Sequence, residues 1–140
     1  MTGPITSGVA LLVEDDPPLA KAMQHRLEAL GFDVVRARRY DEGVLHLESR
    51  RPRVIFVELG LPDGSGYTFC EHVRSAPERC HVAVVLVSET ASPLEMAQAE
   101  EAGADAYLQK PFSMARLETY VRAVLESEKE SRPNVRVLNV

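Results

Sequence analysis

The sequence predicts one doubly wound α/β domain, in which helices cover both faces of a parallel sheet. Three observations predict this fold: apolar runs alternate with amphipathic segments, turn-forming residues separate them, and the length suits one domain. The chain has 140 residues, of which 45% are hydrophobic and 26% charged, as in an ordinary globular domain. Strands that are buried on both faces read as uninterrupted apolar runs. Strands that alternate with helices imply right-handed crossovers and a parallel sheet.

The first strand and helix occupy the start of the chain. Residues 9–13 (VALLV) are apolar throughout and end at Glu14, which predicts a buried strand. A helix is expected next, because Asp16 can cap it and the prolines that follow suit a first helical turn. Gly31 can adopt the left-handed conformation that ends many helices. Residues 32–35 are the second predicted strand.

The middle of the chain repeats this pattern. Residues 41–50 form a predicted helix that ends before Pro52, since a proline disfavours helical backbone in the residue before it. Residues 54–57 (VIFV) are the third predicted strand. The turn-rich segment 60–66 (GLPDGSG) then leads into a third helix over about residues 67–73, where apolar side chains recur at helical spacing.

The last two strand–helix units complete the predicted sheet. Residues 82–87 (VAVVLV) form the fourth strand, and residues 105–108 form the fifth. Ser92 can cap the fourth helix, which Gly103 ends, and Ser113 can cap the last helix. The sequence therefore predicts five strands that alternate with five helices.

Domain boundaries follow from the limits of these elements. We expect an N-terminal arm at residues 1–8, one domain at residues 9–129, and a C-terminal tail at residues 130–140. The valines of the tail alternate weakly, as in a strand. No internal repeat or low-complexity tract divides the chain.

Composition excludes several classes of protein. The 21 acidic and 16 basic residues give a net charge of −5, which argues against a nucleic-acid-binding module. No apolar run approaches the ~18 residues of a membrane span, and no signal pattern opens the sequence. Cys70 and Cys80 form neither a disulfide framework nor a CxxC pair, so a cytoplasmic location is expected.

Polar side chains follow four of the predicted strands. Glu14 and Asp15 follow the first strand, Glu58 the third, Ser88 the fourth and Lys110 the fifth. Doubly wound sheets bind ligands beyond the carboxyl ends of their strands. Carboxylates suit Mg²⁺, whereas lysine and hydroxyl groups suit phosphoryl oxygens. The pattern predicts a site for this chemistry, although a solvated sheet edge is the alternative for any single position.

Three motifs occur in order at these strand ends: residues 11–16 (LLVEDD), residues 61–66 (LPDGSG) and residues 110–112 (KPF). They resemble the acidic pair, the loop after the phosphorylation site and the Lys-Pro-Phe motif of receiver domains of two-component response regulators. The resemblance covers about residues 9–126. It implies a flavodoxin-like fold with strand order 2-1-3-4-5 and a cis Lys110–Pro111 bond.

The resemblance also implies roles for individual residues. Glu14 and Asp15 occupy the acidic pair, and they can form a Mg²⁺ site with Glu58 and the backbone carbonyl of Gly60. Ser88 and Tyr107 occupy the switch positions, and Lys110 occupies the position that contacts phosphate. We expect weak Mg²⁺ binding with Asp15 as the most important ligand, because glutamate side chains at two of the three acidic positions alter the geometry.

Glu58 departs from the family pattern. It lies four residues before Pro62, where the family has its phosphoacceptor Asp, and the only nearby aspartate, Asp63, lies beyond the proline. One extra methylene moves the carboxylate outward by about 1.5 Å, and a misplacement of about 1 Å can cost ~10²-fold in rate. Glu58 can instead contact Lys110 or Ser88 as a partial mimic of a phosphoryl group.

Glu89 is a second departure. The family has a small residue directly after the switch Ser/Thr, which leaves room for the phosphoryl donor. A glutamate at this position adds bulk and negative charge, so we expect it to block the pocket. The alternative is a long side chain that points into solvent.

We therefore predict a stand-alone, atypical receiver that acts in signal transduction by protein–protein contact, independently of Asp phosphorylation. It is expected to have no catalytic residues and to be no enzyme. The alternative is a phosphoryl-accepting receiver of a histidine-kinase phosphorelay that uses Glu58 or another residue as acceptor. A flavin-binding electron carrier is a third reading, disfavoured by an aromatic content of 6%.

The expected partner is a signalling protein, either a histidine kinase or a downstream effector. The resemblance implies that residues 92–128 form the output surface and a possible homodimer contact. The side chains expected on it are Met96, Tyr107, Tyr120, Arg116 and Arg122, and the alternative is that Met96 and Tyr120 pack inward. The tail is a second candidate, since its alternation could add a strand to a sheet edge. Two further readings are a basic patch around the second helix and a zinc site, and both are disfavoured. The basic residues concerned are Arg36, Arg38, Arg39, Arg50, Arg51 and Arg53.

Overall fold

The computed structural model describes residues 7–127. The strands are β1 (Gly8–Val13), β2 (Phe32–Ala37), β3 (Val54–Glu58), β4 (Gly60–Leu61), β5 (Gly64–Ser65), β6 (Ala83–Ser88) and β7 (Ala106–Gln109). The helices are α1 (Pro17–Ala29), α2 (Tyr40–Arg50), α3 (Gly66–Arg74), α4 (Pro93–Ala102) and α5 (Met114–Ser127), with a 3₁₀ turn at Pro77–Arg79. The tail predicted at residues 130–140 lies outside the described residues.

Five strands form the main sheet in the order β2-β1-β3-β6-β7, and every neighbouring pair is parallel. In terms of the five predicted strands this is the order 2-1-3-4-5, so the predicted fold class is confirmed. The short strands β4 and β5 form a separate antiparallel hairpin, where the sequence pattern predicts only a turn-rich segment. Two-residue strands carry no hydrophobic periodicity from which they could be predicted.

Two hydrophobic clusters cover the two faces of the sheet. Side chains from α2, α3 and α4 pack on one face, and side chains from α1 and α5 pack on the other. Residues 83–88 of β6 are all buried, because helices cover both sides of this interior strand. Successive side chains of a strand point to opposite faces, so one apolar run supplies both clusters.

Helix ends follow the sequence signals in most places. Gly31 and Gly103 adopt the left-handed conformation, each with φ of 97°, and Ser92 forms a capping box with Glu95. The hydroxyl of Ser113 accepts a hydrogen bond from the Arg116 N–H. Asp16 occupies the N-cap of α1, but its side chain makes no capping hydrogen bond. The Lys110–Pro111 peptide bond is cis.

Candidate functional site

The main sheet brings four of the predicted site residues to one edge. Glu58 and Ser88 are the last residues of β3 and β6, while Glu14 and Lys110 directly follow β1 and β7. These four strands are neighbours and parallel, so their carboxyl ends meet. The backbone N–H of Lys110 donates to the Ser88 carbonyl over 2.7 Å. This hydrogen bond holds Lys110 beside the end of β6.

An ion cluster occupies the centre of this edge. The Lys110 ammonium lies 3.2 Å from Glu14 Oε2 and also contacts Glu58 Oε1. The exposed fractions of the side chains are 1% for Glu14, 12% for Glu58 and 15% for Lys110. Because solvent is largely excluded, these charges interact more strongly than a surface pair would. One cation therefore bridges two carboxyl groups.

Burial changes the protonation of this cluster. It raises the pKa of the Glu14 carboxyl group to about 7, although the Lys110 ammonium acts against the rise and Glu58 adds to it. For Lys110, burial disfavours the charged form, but the neighbouring Glu58 and Glu14 carboxyl groups outweigh it and raise its pKa. Lys110 therefore stays charged at neutral pH, and Glu14 exchanges a proton near pH 7.

The predicted Mg²⁺ ligands are only partly brought together. Glu14 and Glu58 share the Lys110 ammonium, whereas Asp15 is exposed. Gly60 directs its backbone N–H at Glu58 Oε2 over 3.3 Å. Over residues 7–127, no three His, Cys, Asp or Glu side chains are grouped to hold a metal ion. In this arrangement the Lys110 ammonium already contacts both carboxyl groups that a divalent cation would need, so the cation would have to displace it.

The two predicted switch residues meet at the loop between β6 and α4. Ser88 is buried, and its hydroxyl accepts a hydrogen bond from the Thr90 N–H over 3.2 Å. Tyr107 is 0% exposed, and its hydroxyl donates to the Thr90 carbonyl over 2.6 Å. Thr90 in turn donates its side-chain hydroxyl to Glu95 over 2.7 Å. A single network therefore joins Ser88, Tyr107 and the start of α4.

Sequence reasoning missed Thr90 as the centre of this network. The only available signal was its position two residues after Ser88, where a hydroxyl side chain commonly bonds to nearby backbone. Tyr107 and Tyr120 are both buried, so Tyr107 is not displayed on the outer surface as predicted, and Tyr120 follows the alternative in which it packs inward. Amphipathic aromatic residues serve a core and an interface equally well, so the sequence pattern did not separate the two.

Glu89 is exposed beside a groove of about 460 Å³ at the same edge. The groove is lined by Asp16, Leu19, Glu89, Lys110, Pro111 and Phe112. The Glu89 carbonyl accepts a hydrogen bond from the Gln109 side chain over 3.2 Å. Glu89 therefore lies at an opening that leads to Lys110, and its effect on an incoming donor remains a prediction.

Several arginines around the second helix make contacts within the chain. Arg36 donates twice to the Glu14 carbonyl, Arg50 pairs with Asp33, and Arg53 donates to the Ser7 carbonyl. These three of the six arginines of the disfavoured basic patch are therefore engaged in contacts within the chain. Within residues 7–127, no three His, Cys, Asp or Glu side chains are grouped as zinc ligands either. In the same part of the chain, no helix is both long and apolar enough to span a membrane.

Comparison with known proteins agrees with this fold. Residues 10–122 match the family described as "Response regulator receiver domain". KdpE of Escherichia coli (strain K12), a KDP operon transcriptional regulatory protein, is 34% identical over 82% of this chain and 50% of its own length. PhoB of Rhizobium meliloti (strain 1021), a phosphate regulon transcriptional regulatory protein, is 32% identical over 84% and 52%. The chain thus spans about half the length of these relatives.

Solved structures show the same similarity. The signal receiver domain of a signal transduction histidine kinase from Syntrophus aciditrophicus has a TM-score of 0.80 and 28% identity, covering 91% of this chain and 96% of its own. A BeF3-activated DrrB receiver domain has a TM-score of 0.77 and 27% identity, covering 87% and 99%. The chain therefore belongs to the response regulator receiver domain family.

Proposed function

We propose that this receiver domain signals without phosphorylation, because the Glu58 carboxylate takes the place of a phosphoryl group beside Lys110. The observation that carries the proposal is the contact between the Lys110 ammonium and Glu58 Oε1. Lysine at this position would otherwise bind the oxygens of a phosphoryl group. Here a carboxylate of the chain itself supplies the negative charge, with fewer oxygens and less charge than a phosphate.

The reach of the side chain supports this proposal. Glu58 ends β3 four residues before Pro62, where the receiver family has its acceptor Asp. Its extra methylene moves the carboxylate outward by about 1.5 Å, toward Lys110 and away from the position of an aspartate nucleophile. In-line attack on phosphorus depends on accurate placement, so the same shift that favours the ion pair disfavours phosphoryl transfer.

The switch network is consistent with a domain held in one state. Tyr107 is buried and bonded to the Thr90 carbonyl, and Thr90 is bonded to Ser88. We infer that Ser88 and Tyr107 are the switch residues and that the Glu58–Lys110 contact holds them in this arrangement. Glu89, exposed at the groove mouth, would further disfavour the approach of an anionic donor.

Signalling would then occur through a protein partner on the surface formed by α4, β7 and α5. Glu100 and Glu101 of α4 are exposed, as are Arg116 and Arg122 of α5. Opposite charges on these two helices can pair with a second copy of the same surface. We propose a homodimer, or a contact with a histidine kinase or downstream effector, within residues 92–128.

Nuclear magnetic resonance with beryllium fluoride as a phosphoryl mimic tests this function. The chain is mixed with beryllium fluoride and Mg²⁺, and the amide resonances of Ser88, Thr90 and Tyr107 are followed. We expect no change in the parent chain, since Glu58 already occupies the pocket, and clear changes in the Glu58→Asp variant. Glu58→Gln, which removes the charge, should move the same resonances without any ligand. Shifts in the parent chain as large as those in Glu58→Asp would instead favour the phosphoryl-accepting alternative.

A further inference from the structure

Asp63, the aspartate that follows the loop proline, is bound to the start of a different element. Its Oδ1 accepts a hydrogen bond from the Tyr40 N–H over 2.6 Å, and its Oδ2 accepts one from the Asp41 N–H over 3.1 Å. The Arg39 guanidinium lies 3.6 Å from the same carboxylate. Although Asp63 is 23 residues away from Tyr40 in sequence, it caps α2.

This cap replaces one that the local sequence does not provide. Arg39 occupies the N-cap of α2, and its side chain makes no capping hydrogen bond. The first N–H groups of a helix have no partner within the helix, and a carboxylate suits the positive end of the helix dipole. Asp63 satisfies two of these groups, so it attaches the β4–β5 hairpin to α2.

The ring of Tyr40 packs against this attachment. A Cβ atom added at Gly64, the residue after Asp63, would lie 2.7 Å from a Tyr40 ring carbon. The same ring meets Phe69 of α3 edge-on, with 5.4 Å between centroids. The β4–β5 hairpin therefore lies directly against Tyr40. Because Tyr40 is the first residue of α2, we expect a shift of α2 to move the hairpin as well.

The other end of the hairpin reaches the ion cluster. Gly60 pairs with Ser65 across the hairpin, and its N–H donates to Glu58 Oε2 over 3.3 Å. The second oxygen of Glu58 contacts Lys110. A short path of defined contacts thus runs from the start of α2 through Asp63 and Gly60 to Glu58.

We propose that Asp63 is a positioning residue: it ties the hairpin to α2 and thereby holds Glu58 against Lys110. The inference rests on the proposed function, since it concerns the same contact. Both oxygens of Asp63 accept backbone hydrogen bonds, so this aspartate does not substitute for the missing phosphoacceptor. The exposed surface of α2 is then coupled to the pocket, and a change at α2 is expected to alter the Glu58–Lys110 contact.

Two measurements on the full chain test this coupling in Asp63→Ala. Amide hydrogen exchange is followed at Tyr40, at Asp41 and at Gly60. The energetic coupling of Glu58 to Lys110 is obtained from a double-mutant cycle with Glu58→Gln and Lys110→Met, with and without Asp63→Ala. Asp33→Asn, which removes the exposed ion pair with Arg50 at the other end of α2, is the control.

We expect exchange at Gly60 to become about tenfold faster, together with exchange at Tyr40 and Asp41, as for the loss of a helix cap. The coupling of Glu58 to Lys110 should fall by roughly half or more, and Asp33→Asn should change neither quantity. Faster exchange at Tyr40 and Asp41 alone, with the coupling retained, would reduce Asp63 to a helix cap and overturn the inference.

Failure of the proposed function gives a different result. If Glu58 and Lys110 are not coupled in the parent chain, the phosphoryl-mimic contact itself is absent, and the inference falls with it. Should Asp63→Ala not fold, Asp63→Asn keeps the volume and one acceptor oxygen. If amide hydrogen exchange in that variant becomes faster at Asp41 but stays unchanged at Gly60, the inference is also overturned.

Discussion

Lys110 Nζ lies 3.2 Å from Glu14 Oε2, and the Glu14 carboxyl group is almost completely buried. Taking both charges out of water is costly, so the pair persists only while each partner remains in place. Glu58 shares the same ammonium, and the balance of charge therefore depends on whether Glu14 holds a proton. This relationship makes the ion cluster sensitive to pH, to metal ions and to substitution of any member.

The contribution of Glu14 to the free energy of unfolding should fall as pH rises from about 4.5 to about 7. The folded-state pKa of Glu14 is raised to about 7 from an ordinary value of 4.5, so the folded chain binds this proton more tightly than the unfolded chain. The resulting stability is full below pH 4.5 and is lost as pH rises through 7, by at most about 3 kcal/mol. Urea unfolding of the chain and of Glu14→Gln over this range isolates the effect.

In that comparison, the difference in the free energy of unfolding between the two proteins should change across the window and level off above it. Carboxyl groups whose pKa is lowered, such as Asp63 and Glu95, contribute equally to both proteins and cancel. A constant difference from pH 4 to pH 8 would show that Glu14 does not titrate as described.

Mg²⁺ should bind weakly to the parent chain and more tightly to Lys110→Met. Removing the ammonium leaves Glu14 and Glu58 without their shared cation, and a divalent ion can then relieve the repulsion. We expect a gain in affinity on the order of tenfold, measured by titration calorimetry. Asp15→Asn should weaken Mg²⁺ binding in either background. Tight binding by the parent chain that Asp15→Asn leaves unchanged would contradict this prediction.

Tyr107→Ala should destabilise the domain, whereas Tyr107→Phe should do so only slightly. The ring is buried among core side chains, and truncating a large buried aromatic residue costs about 3–5 kcal/mol. Phenylalanine keeps the ring and loses only the hydrogen bond to the Thr90 carbonyl, which is worth about 1 kcal/mol. Thermal or urea unfolding measures both values, and equal losses would argue against a packed ring.

Arg116→Ala and Arg122→Ala should reduce self-association or partner binding without destabilising the fold. Both residues are exposed, and the Arg122 side chain is 66% exposed although it pairs with Glu118. Analytical ultracentrifugation measures self-association, and a pull-down measures partner binding. Arg38→Ala, an exposed arginine just before α2, serves as the matched control. If neither substitution has an effect but deletion from Pro133 abolishes association, the tail carries the contact.

Periodicity predicted the sheet because each strand end is marked in the sequence. The run at residues 82–87 is apolar without a break, and it becomes the fully buried strand β6. Parallel topology then places Glu14, Glu58, Ser88 and Lys110 at one edge, so the composition of the candidate site followed from the order of elements alone. The strand order itself and the cis peptide bond came from the family resemblance.

Contacts between side chains of distant elements could not be predicted in this way. The sequence does not indicate that Asp63 caps α2, since 23 residues separate it from Tyr40. Similarly, Tyr107 has an apolar ring and a hydroxyl group that suit either a surface or a core with a backbone acceptor. The Tyr107 hydroxyl donates to the Thr90 carbonyl in the folded structure. This acceptor, which the sequence does not reveal, allows Tyr107 to occupy the core instead of the surface.

The mass of the intact chain after incubation with Mg²⁺ and a small phosphodonor tests most directly whether Glu58 replaces phosphorylation. We expect the parent chain to gain no phosphoryl group and Glu58→Asp to gain one. Adding Glu89→Ala to the Glu58→Asp variant should increase the fraction of chains that carry a phosphoryl group, because it removes bulk and charge at the groove. A gain of one phosphoryl group by the parent chain that Glu58→Ala abolishes would show that Glu58 is itself a phosphoacceptor, and would contradict the proposal.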